Sequence, residues 1–475
     1  MKNLKVTATV LALTLLLAAC SGVREDNSSD DSEKTSEIYS DEDYDTEINE
    51  SDSVEITLDG ESVTIEEAGT YIISGTLDDG SIVINASDED EVQLVLNGCT
   101  VTSSSSAPIY VKNAGKVFIT TVEGTVNYLS NEAVFEADAN TSVDGVIFSK
   151  SDITLNGEGT LVISSVDNGI VSKDELVITG GTYEIESAGD SIQANDLIAI
   201  DGGTFTISSG DDAVHCEADL IIDGGTIEIT ECVEGLEGNT VTINDGDITL
   251  ISSDDGINAA GETDTGMQAD PSAWIEINGG NIDISTGGDG IDSNGDFTVN
   301  GGYITISGPE NSGNGSLDFA GSGTINGGTL ITAGMAGMEM NMTSASQGCI
   351  LIRTDNQSEG SEITVTDSSG SELLSFTPST SYSCVLISSP DLQVGQTYTI
   401  SAGTSSQEVT LEDYIYGSSL GMGGSFEGQM PGRRDGFEGQ MPPEFNGEQP
   451  QGFDGQTPPE PPNGFDGQMP PTETT

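Results

Sequence analysis

Carboxylate side chains recur at matching positions in the middle of the chain, at intervals of about 22 residues. Two of these positions hold doubled aspartates, Asp211–Asp212 and Asp254–Asp255. The candidate ligands for a metal ion are Asp190, Asp211, Asp212, Glu234, Glu237, Asp254, Asp255, Asp289 and Asp292. Calcium prefers carboxylate and carbonyl oxygens and takes about six to eight of them. The pattern therefore predicts bound Ca²⁺.

The charge of these residues favours the same interpretation. If the repeats stack, equivalent carboxylates lie about 4.8 Å apart in successive repeats and repel one another. Lys173 is the only basic residue between positions 158 and 334, so side-chain cations cannot balance the column. A divalent cation would balance it. The alternative is turn chemistry, because Asp–Gly is a favoured turn pair and each acid could be solvated.

The only histidine, His215, belongs to a second polar column with Glu237, Asn258 and Asp292. Asp318 joins this column if the extra residues of its repeat precede it. His215 could serve in acid–base catalysis, contact a ligand or a metal, or form hydrogen bonds with neighbouring acids. The sequence leaves these roles open, and we place His215 among the candidate ligand-binding residues.

A repeated glycine pair predicts the elements that position these residues. The pairs and their one variant are Gly180–Gly181, Gly202–Gly203, Gly224–Gly225, Asp245–Gly246, Gly279–Gly280, Gly301–Gly302 and Gly327–Gly328. Between them, apolar and polar residues alternate as in strands, without the i, i+3, i+4 spacing of a helix. Three short strands per repeat would stack aliphatic ladders inside a solenoid. We predict an all-β fold, a right-handed parallel β-helix with about 22 residues per coil.

One repeat is longer than the others and leads into the only tryptophan. The stretch from Asp245 to Gly279 exceeds a normal repeat by about 12 residues, and the additional segment around 260–273 precedes Trp274. Long loops on a rigid scaffold often carry function. Trp274 is therefore a candidate ligand-binding residue. The alternative is that its ring covers the edge of an outer sheet.

The overall charge restricts the possible partners. Eleven Lys and Arg residues against 81 Asp and Glu residues give a net charge of −70. Such a surface argues against nucleic acid and against anionic lipid as partners, and it favours binding of cations. The 475 residues are sufficient for a large core.

The N-terminus predicts export. Lys2 and Lys5 precede an apolar run that is short for a membrane span and ends at Cys20. Because Leu17–Ala18–Ala19–Cys20 resembles a lipobox, residues 1–19 are expected to be a signal peptide and Cys20 the lipidated residue. An ordinary signal peptide is the alternative. We expect a protein on the extracellular face of the cell membrane, attached only through its lipid anchor.

Composition divides the rest of the chain. Residues 20–50 are polar and acidic, which predicts a disordered linker. Residues 51–345 are expected to form the β-helix. Residues 346–416, with strands at shorter spacing, are expected to form a small antiparallel β unit, in which Cys349 and Cys384 are the candidate disulfide pair. Residues 417–475 repeat Phe, Gly, Gln and Pro and predict a disordered tail.

The sequence also resembles a known family. The resemblance lies in the Gly-Gly-Thr coils, in Asp211-Asp212-Ala-Val-His215, in Asp254-Asp255-Gly-Ile257 and in the stretch from Ser383 to Tyr398. Over about residues 50–416, these features resemble the clostridial β-helix carbohydrate-binding proteins, which are associated with cellulose and polygalacturonate. The resemblance implies a pectate-lyase-like fold, calcium binding and no catalysis. It extends to metal ligands only at the two Asp-Asp coils.

Three functions are compatible with the sequence. The first is a surface lipoprotein that binds plant polysaccharide with the help of calcium. Aromatic residues make up only 5% of the chain, which favours an acidic glycan such as polygalacturonate over cellulose. The second is a pectin-degrading enzyme, although Lys173 is the only candidate base for a lyase and the motifs of the hydrolase family are missing. The third is a structural or adhesive surface protein. We favour the first.

Overall fold

The computed structural model describes residues 38–48, 51–261 and 268–419. Short strands wind along this part of the chain, and most pair in parallel with the equivalent strand of the next coil. Ile185, for example, is paired with Ile207, which is paired with Ile229. The predicted parallel β-helix is confirmed. The predicted signal peptide, the lipidation site Cys20 and the tail from residue 420 lie outside the described residues.

Each regular coil contains three strands, and equivalent strands stack into three faces. We name each face after one of its outward-pointing residues. The tyrosine face, with Tyr303, comprises β8 (Val126–Asn131), β13 (Thr160–Ser165), β16 (Thr182–Ser187), β19 (Thr204–Ser209), β21 (Thr226–Glu231), β23 (Asp247–Ser252), β26 (Asn281–Thr286), β29 (Tyr303–Ser307) and β32 (Thr329–Gly334).

The histidine face, with His215, follows the tyrosine face along each coil. It comprises β2 (Val63–Ile65), β4 (Ile82–Asn85), β6 (Ile109–Asn113), β11 (Gly145–Ser149), β14 (Asn168–Ser172), β17 (Ile192–Ala194), β24 (Ile257–Ala259), β27 (Ile291–Ser293) and β30 (Leu317–Phe319). The hairpin of β9 (Phe135–Asp138) and β10 (Thr141–Val143) forms a separate antiparallel pair.

The tryptophan face, with Trp274, completes the coil. It comprises β1 (Val54–Leu58), β7 (Lys116–Thr121), β12 (Ile153–Gly157), β15 (Glu175–Ile178), β18 (Leu197–Ile200), β25 (Trp274–Ile277), β28 (Asp296–Val299), β31 (Gly323–Ile325) and β33 (Ser344–Ala345). Four longer strands each contribute to two faces. They are β3 (Gly69–Leu77), β5 (Glu91–Ser103), β20 (Val214–Ile222) and β22 (Leu236–Ile243).

Side chains of similar type stack on one another inside the solenoid. One buried ladder consists of Leu161, Tyr183, Phe205, Ile227, Ile248, Ile282, Ile304 and Leu330. The rings of Tyr183 and Phe205 stack with their centroids 4.8 Å apart and their planes at 14°, which matches the spacing of neighbouring strands. Burial of each large aliphatic side chain contributes about 1.5–3 kcal/mol. The ladders therefore give the three faces a rigid support.

The glycine pairs form the corner between the tryptophan and tyrosine faces. At Gly302 the backbone φ is +84°, and a Cβ atom there would lie 2.7 Å from the carbonyl oxygen of Gly279 one coil away. Both the positive φ and the close approach of the next coil require glycine. This requirement explains why the pair recurs with the period of the coil.

The C-terminal part adds antiparallel strands to the last coil. β37 (Tyr382–Ser389) pairs antiparallel with β32 and with β34 (Gly348–Gln357), and β40 (Ile415–Tyr416) pairs in parallel with β34. A four-stranded antiparallel sheet contains β35 (Ile363–Asp367), β36 (Glu372–Phe376), β38 (Thr397–Ala402) and β39 (Ser405–Thr410). A second hydrophobic core includes Ile331 of β32 and Ile387 of β37, so it joins these strands to the solenoid.

The suggested disulfide between Cys349 and Cys384 is wrong. Both are buried free thiols, as are the other three cysteines in the described residues. In the pairing of β34 with β37, Cys349 lies opposite Ser388, whereas Cys384 lies opposite Arg353. Four residues of strand separate the two positions by roughly 13 Å, about twice the distance that a disulfide can join.

Residues 38–48, which we call the strap, pack against the tryptophan face. A 3₁₀ helix at Asp41–Tyr44 buries Asp43, whose Oδ1 lies 2.6 Å from Nζ of Lys116 and accepts a 2.5 Å hydrogen bond from Thr154. The phenol groups of Tyr39 and Tyr44 donate to Asp223 (2.8 Å) and Asp201 (2.5 Å) on later coils. Polar contacts along the strap therefore hold it on the tryptophan face.

This packing corrects the expected disorder of residues 20–50 for the part that the structure describes. The composition of the strap is polar, so hydrophobic burial alone would not order it. Its partners are polar groups on the tryptophan face, including Thr179, whose hydroxyl donates to the carbonyl oxygen of Asp43 (2.7 Å). These partners, among them Lys116, Thr154 and Thr179, lie far from Asp43 in sequence, which is why composition did not predict the contact.

No helix in the described part of the chain has the length and apolar character needed to cross a membrane.

Candidate metal centre

The turn between the tyrosine face and the histidine face carries a column of hydrogen-bonded acids. Oδ1 of Asp190 accepts from the backbone N–H of Asp212 (3.1 Å), and Oδ1 of Asp212 accepts from that of Glu234 (3.2 Å). Farther along, Asp255 accepts from the N–H of Asp289 (2.6 Å), and Asp289 accepts from that of Gly315. One oxygen of each carboxylate thus accepts a hydrogen bond from the next coil, while the other oxygen remains for further partners.

A second column lies on the outward side of the histidine face. The aligned residues are His215, Glu237, Asn258, Asp292 and Asp318. The sequence predicted the first four, and the pairing of Asp292 with Asp318 settles the position of the fifth. Their neighbours in the strands, such as Val214 and Cys216, point into the core.

His215 lies between two acids from different coils, in a group that we call the histidine cluster: Asp190, Asp211, Asp212, His215 and Glu237. Nδ1 of His215 is 3.1 Å from Oδ2 of Asp212 and 2.8 Å from Oε2 of Glu237. Ligand atoms of Asp212, His215 and Glu237 lie within 4.8 Å of one another, as do those of Asp190, Asp211 and Asp212.

The pKa values show that the histidine supplies a positive charge here. Hydrogen bonds to Asp212 and Glu237 raise the pKa of His215 to about 10, against the effect of burial. Burial by itself would raise the pKa of Glu237, but the hydrogen bond from His215 lowers it. His215 is therefore an imidazolium at neutral pH and compensates part of the negative charge around it.

A second group, the aspartate cluster, consists of Asp255, Asp289, Asp292 and Asp318. Carboxylate oxygens of the first three lie within 4.8 Å of one another. Burial is the main cause that raises the pKa of Asp289 to about 7 and that of Asp292 to about 8, and repulsion from neighbouring acids adds to both. Among the described residues, no salt bridge reaches this cluster. Within the described part of the chain, no cationic side chain therefore compensates the ionised form of this cluster.

Glu234 and Asn258 separate the two clusters. The side-chain amide of Asn258 donates to Oε2 of Glu234 (2.8 Å), and burial raises the pKa of Glu234 to about 7. In the second column Asn258 lies between two acidic residues, Glu237 and Asp292. Because its side chain is uncharged, it separates these two acids and reduces the repulsion along the column. Glu234 thus has a neutral hydrogen-bond partner, and it belongs to neither group of closely spaced candidate metal ligands.

The structure brings together most of the predicted metal ligands. Seven of them fall in the groups of closely spaced ligand atoms: Asp190, Asp211, Asp212, Glu237, Asp255, Asp289 and Asp292. Glu234 and Asp254 do not. The analysis of the sequence missed Asn168, whose Oδ1 accepts from the N–H of Asp190 (2.9 Å) and so begins the column. Its position one repeat before Asp190 was the available signal.

Trp274 lies on a different face from both clusters. It is the first residue of β25, paired between Thr240 and Asp296, and 39% of its surface is exposed. It does not contribute to the acid columns. If Trp274 binds a ligand, it does so at a separate place.

Residues that fit a hard divalent cation are therefore present. The aspartate cluster offers only oxygen ligands, which is the donor set that Ca²⁺ prefers. Three of its acids lie close together, and none has a salt bridge with a basic residue in the described ranges. The histidine cluster fits less well, because a protonated imidazole cannot bind a metal through its protonated nitrogen and it already balances charge. The all-oxygen group of Asp190, Asp211 and Asp212 is the part of that cluster open to a cation.

Comparison with known proteins places these features in a family. A family model described as carbohydrate-binding domain-containing protein matches residues 59–220 and 211–411. A carbohydrate-binding domain-containing protein of Acetivibrio thermocellus is 34% identical over 184 residues, which are 38% of this chain and 63% of that protein. This chain thus spans less than two thirds of the length of that relative.

One solved structure is also similar. Its title is the polysaccharide lyase-like protein from C. thermocellum, gadolinium derivative. The match has 24% sequence identity and covers 62% of this chain and 98% of that chain, with a TM-score of 0.30. At that TM-score we base no inference on the similarity.

Proposed function

This chain belongs to the carbohydrate-binding domain-containing protein family, and on that premise we propose that it binds an acidic plant polysaccharide, such as polygalacturonate, through calcium ions. Membership of the family supports glycan binding in general. The acidic glycan and the calcium ion are our proposal, and the aspartate cluster is the observation that carries them.

The aspartate cluster supports calcium because it combines three conditions. Its oxygens lie close enough to share one cation. Burial and mutual repulsion raise the pKa of Asp255 to about 6, and those of Asp289 and Asp292 higher still, so the ionised cluster is unfavourable without a cation. The outward side of the histidine face leaves the cluster accessible, since Asp289, Asp292 and Asp318 are only partly buried. A cation held there would have coordination positions left for a ligand.

A bridging cation explains how so acidic a protein would bind an acidic chain. With a net charge of −70, direct contact with a polyuronate would be repulsive. A calcium ion shared between protein carboxylates and a uronate carboxylate turns that repulsion into attraction. Cellulose, which carries no carboxylate, would gain nothing from this arrangement.

We further propose that the protein is an exported lipoprotein on the cell surface, anchored at Cys20, and that nucleic acid is not a partner. The N-terminal sequence and the overall charge support this proposal. Binding rather than catalysis is favoured by the family description. A structural or adhesive role without glycan is the alternative.

The test is affinity electrophoresis of the purified protein in gels that contain polygalacturonate, with calcium or with EDTA. We expect retardation in calcium and its loss in EDTA. The variant Asp255→Asn/Asp289→Asn/Asp292→Asn should lose at least about tenfold in affinity, which corresponds to 1.4 kcal/mol. The control Glu184→Gln/Glu186→Gln/Glu228→Gln removes the same charge from exposed positions on the tyrosine face and should bind normally.

Three results would contradict the proposal. Equal retardation in calcium and EDTA would exclude a bridging cation. If no polysaccharide retards the protein in either buffer, glycan binding is excluded and the structural or adhesive role is favoured. Release of unsaturated products or reducing ends during the assay would instead establish an enzyme.

A further inference from the structure

A groove of about 490 Å³ runs along the tryptophan face, away from both acid clusters. Ile38 of the strap and Trp274 of β25 both line it. A second hollow of about 420 Å³ is also lined by Trp274, together with Asp270 and Pro271 of the preceding loop. The calcium-dependent function uses none of these residues.

The floor of the groove repeats from coil to coil and is mostly polar. Ile221, Thr242 and Glu276 are aligned on three successive coils. Beside them runs a ladder of asparagines, in which Nδ2 of Asn278 donates to Oδ1 of Asn244 and Nδ2 of Asn300 donates to Oδ1 of Asn278, both at 2.8 Å. Because these amides hold one another in place, their orientation costs little when a ligand binds.

Hydrogen-bonding capacity remains in this floor. An amide nitrogen carries two hydrogens, and that of Asn278 uses one on Asn244. Oε1 of Glu276 accepts from Asn300 (2.7 Å), which fixes the carboxylate and leaves Oε2 for another donor. The floor thus offers both a donor and an acceptor at fixed places, as recognition of hydroxyl groups requires.

The loop before Trp274 fixes the backbone that carries the indole ring. Asp270 is buried, and its N–H donates to the carbonyl oxygen of Asn294 (2.7 Å). Oδ1 of Asp270 accepts from both the N–H and the hydroxyl of Ser272 (2.9 and 2.6 Å). This tight turn leads directly into β25, so the backbone that carries the exposed ring of Trp274 is held in place.

The charge of the groove selects against an anionic ligand. Its charged lining residues in the described part of the chain are Asp219 and Glu276, both acidic, and none of the described lining residues is Lys or Arg. A polyuronate would therefore be repelled, whereas a neutral sugar would not. An indole ring also offers a flat apolar surface, which matches the C–H face of a pyranose ring with equatorial hydroxyls.

We propose that this groove is a second carbohydrate site, which binds a neutral pyranose chain without a metal ion. One sugar ring stacks on Trp274, and the hydroxyls of its neighbours exchange hydrogen bonds with Asn278, Glu276 and Thr242. This proposal rests on the proposed glycan-binding function, but it assigns a different face, a different class of glycan and independence from calcium.

Fluorescence gives a direct test, because Trp274 is the only tryptophan of the chain. Cellohexaose is titrated into the full-length protein in EDTA. We expect saturable quenching or a blue shift of the emission, unchanged in the Asp255→Asn/Asp289→Asn/Asp292→Asn variant. Oligogalacturonate in EDTA should leave the emission unaltered.

Variants supply the second readout, affinity electrophoresis in hydroxyethylcellulose. Trp274→Ala should weaken retardation at least about tenfold, and Trp274→Phe should restore most of it. Tyr303→Ala is the matched control, since Tyr303 is equally exposed (39%) on the tyrosine face. All variants should keep the wild-type circular dichroism spectrum.

The proposal is overturned if cellohexaose leaves the emission unchanged while polygalacturonate still binds in calcium, a result that leaves the calcium-dependent function intact. It is also overturned if Tyr303→Ala, rather than Trp274→Ala, abolishes binding to hydroxyethylcellulose. Failure of every glycan in both assays would contradict the two proposals together.

Discussion

Nδ1 of His215 lies 2.8 Å from Oε2 of Glu237, its paired neighbour on the next coil. The same nitrogen lies 3.1 Å from Asp212, so one imidazolium compensates acids from two coils. Two coils beyond Glu237, Asp292 occupies the same column, and no described residue forms a salt bridge with it. The repulsion between stacked acids is thus compensated in two ways. In the histidine cluster the imidazolium of His215 supplies the positive charge, and in the aspartate cluster, as we propose, calcium does.

Removal of the histidine should expose the repulsion that it now compensates. His215→Gln should lower the free energy of unfolding by about 2 kcal/mol at pH 7 in EDTA, measured by urea denaturation. Breaking a fully buried pair costs about 3–5 kcal/mol, and we expect less because a quarter of the His215 side chain is exposed. The double variant His215→Gln/Glu237→Gln should recover part of the loss. Equal losses in both variants would contradict the role of His215 as a counter-charge.

The contribution of His215 should also depend on pH. Its pKa is raised from 6.5 to about 10 in the folded protein, so the stabilisation is complete below pH 6.5 and disappears as pH rises through 10. Wild type and His215→Gln in EDTA should therefore differ most in stability below pH 6.5 and converge above pH 10. A constant difference across this range would argue that the histidine acts only through packing.

The aspartate cluster should make the calcium-free protein less stable at higher pH. Asp292 has a pKa of about 8 when folded, against 3.8 for an ordinary aspartate, so in this window the folded state binds more protons than the unfolded state. Thermal midpoints in EDTA should therefore fall as pH rises from about 4 to about 8. Calcium should reduce the fall because it binds the ionised carboxylates. Asp289→Asn/Asp292→Asn should show a flatter profile, and a midpoint that rises with pH in EDTA would contradict the account.

The strap should detach when its buried carboxylate is removed. Asp43→Ala leaves Lys116 and Thr154 without their partner, and we expect a local loss of about 2 kcal/mol. Chymotryptic cleavage at Tyr39 or Tyr44 should then accelerate by about 30-fold. Asp41→Ala, an exposed residue of the same 3₁₀ helix, is the control and should be cleaved at the wild-type rate. Equal cleavage of both variants would show that Asp43 does not hold the strap.

The loop before Trp274 should be sensitive to one glycine. A Cβ atom at Gly295 would lie 1.8 Å from the carbonyl oxygen of Ala273. Gly295→Ala should displace the loop, shift the emission of Trp274 and cost about 1–3 kcal/mol, the usual range for overpacking. At Gly313 the nearest atom lies 3.3 Å away, so Gly313→Ala should change neither property. An unchanged spectrum in Gly295→Ala would contradict the fixed position of the indole.

The repeat in the sequence was sufficient to predict the solenoid and most of the candidate site. A residue of one coil pairs with its equivalent about 22 positions later, so spacing alone aligned Asp212 with Glu234 and His215 with Glu237. Spacing could not decide which acids share a cation. That depends on local partners, such as the amide of Asn258, which gives Glu234 a neutral hydrogen bond.

Contacts outside the repeat were not predictable in this way. Asp43 meets Thr154 across 111 residues, and no periodicity relates the two positions. The pairing of Cys349 with Cys384 failed for a similar reason, because the register of β34 against β37 places each cysteine opposite a different residue. In both cases the three-dimensional path of the chain decides, rather than composition or spacing.

Calorimetric titration of Ca²⁺ into metal-free protein at pH 7.5 tests the central claim most directly. We predict saturable binding to the wild type and to the Glu184→Gln/Glu186→Gln/Glu228→Gln control. In Asp255→Asn/Asp289→Asn/Asp292→Asn we predict the loss of at least one site, with the remaining protein still folded. Identical isotherms for the wild type and this variant would show that the aspartate cluster does not hold calcium, and the proposed bridge to an acidic glycan would fail with it.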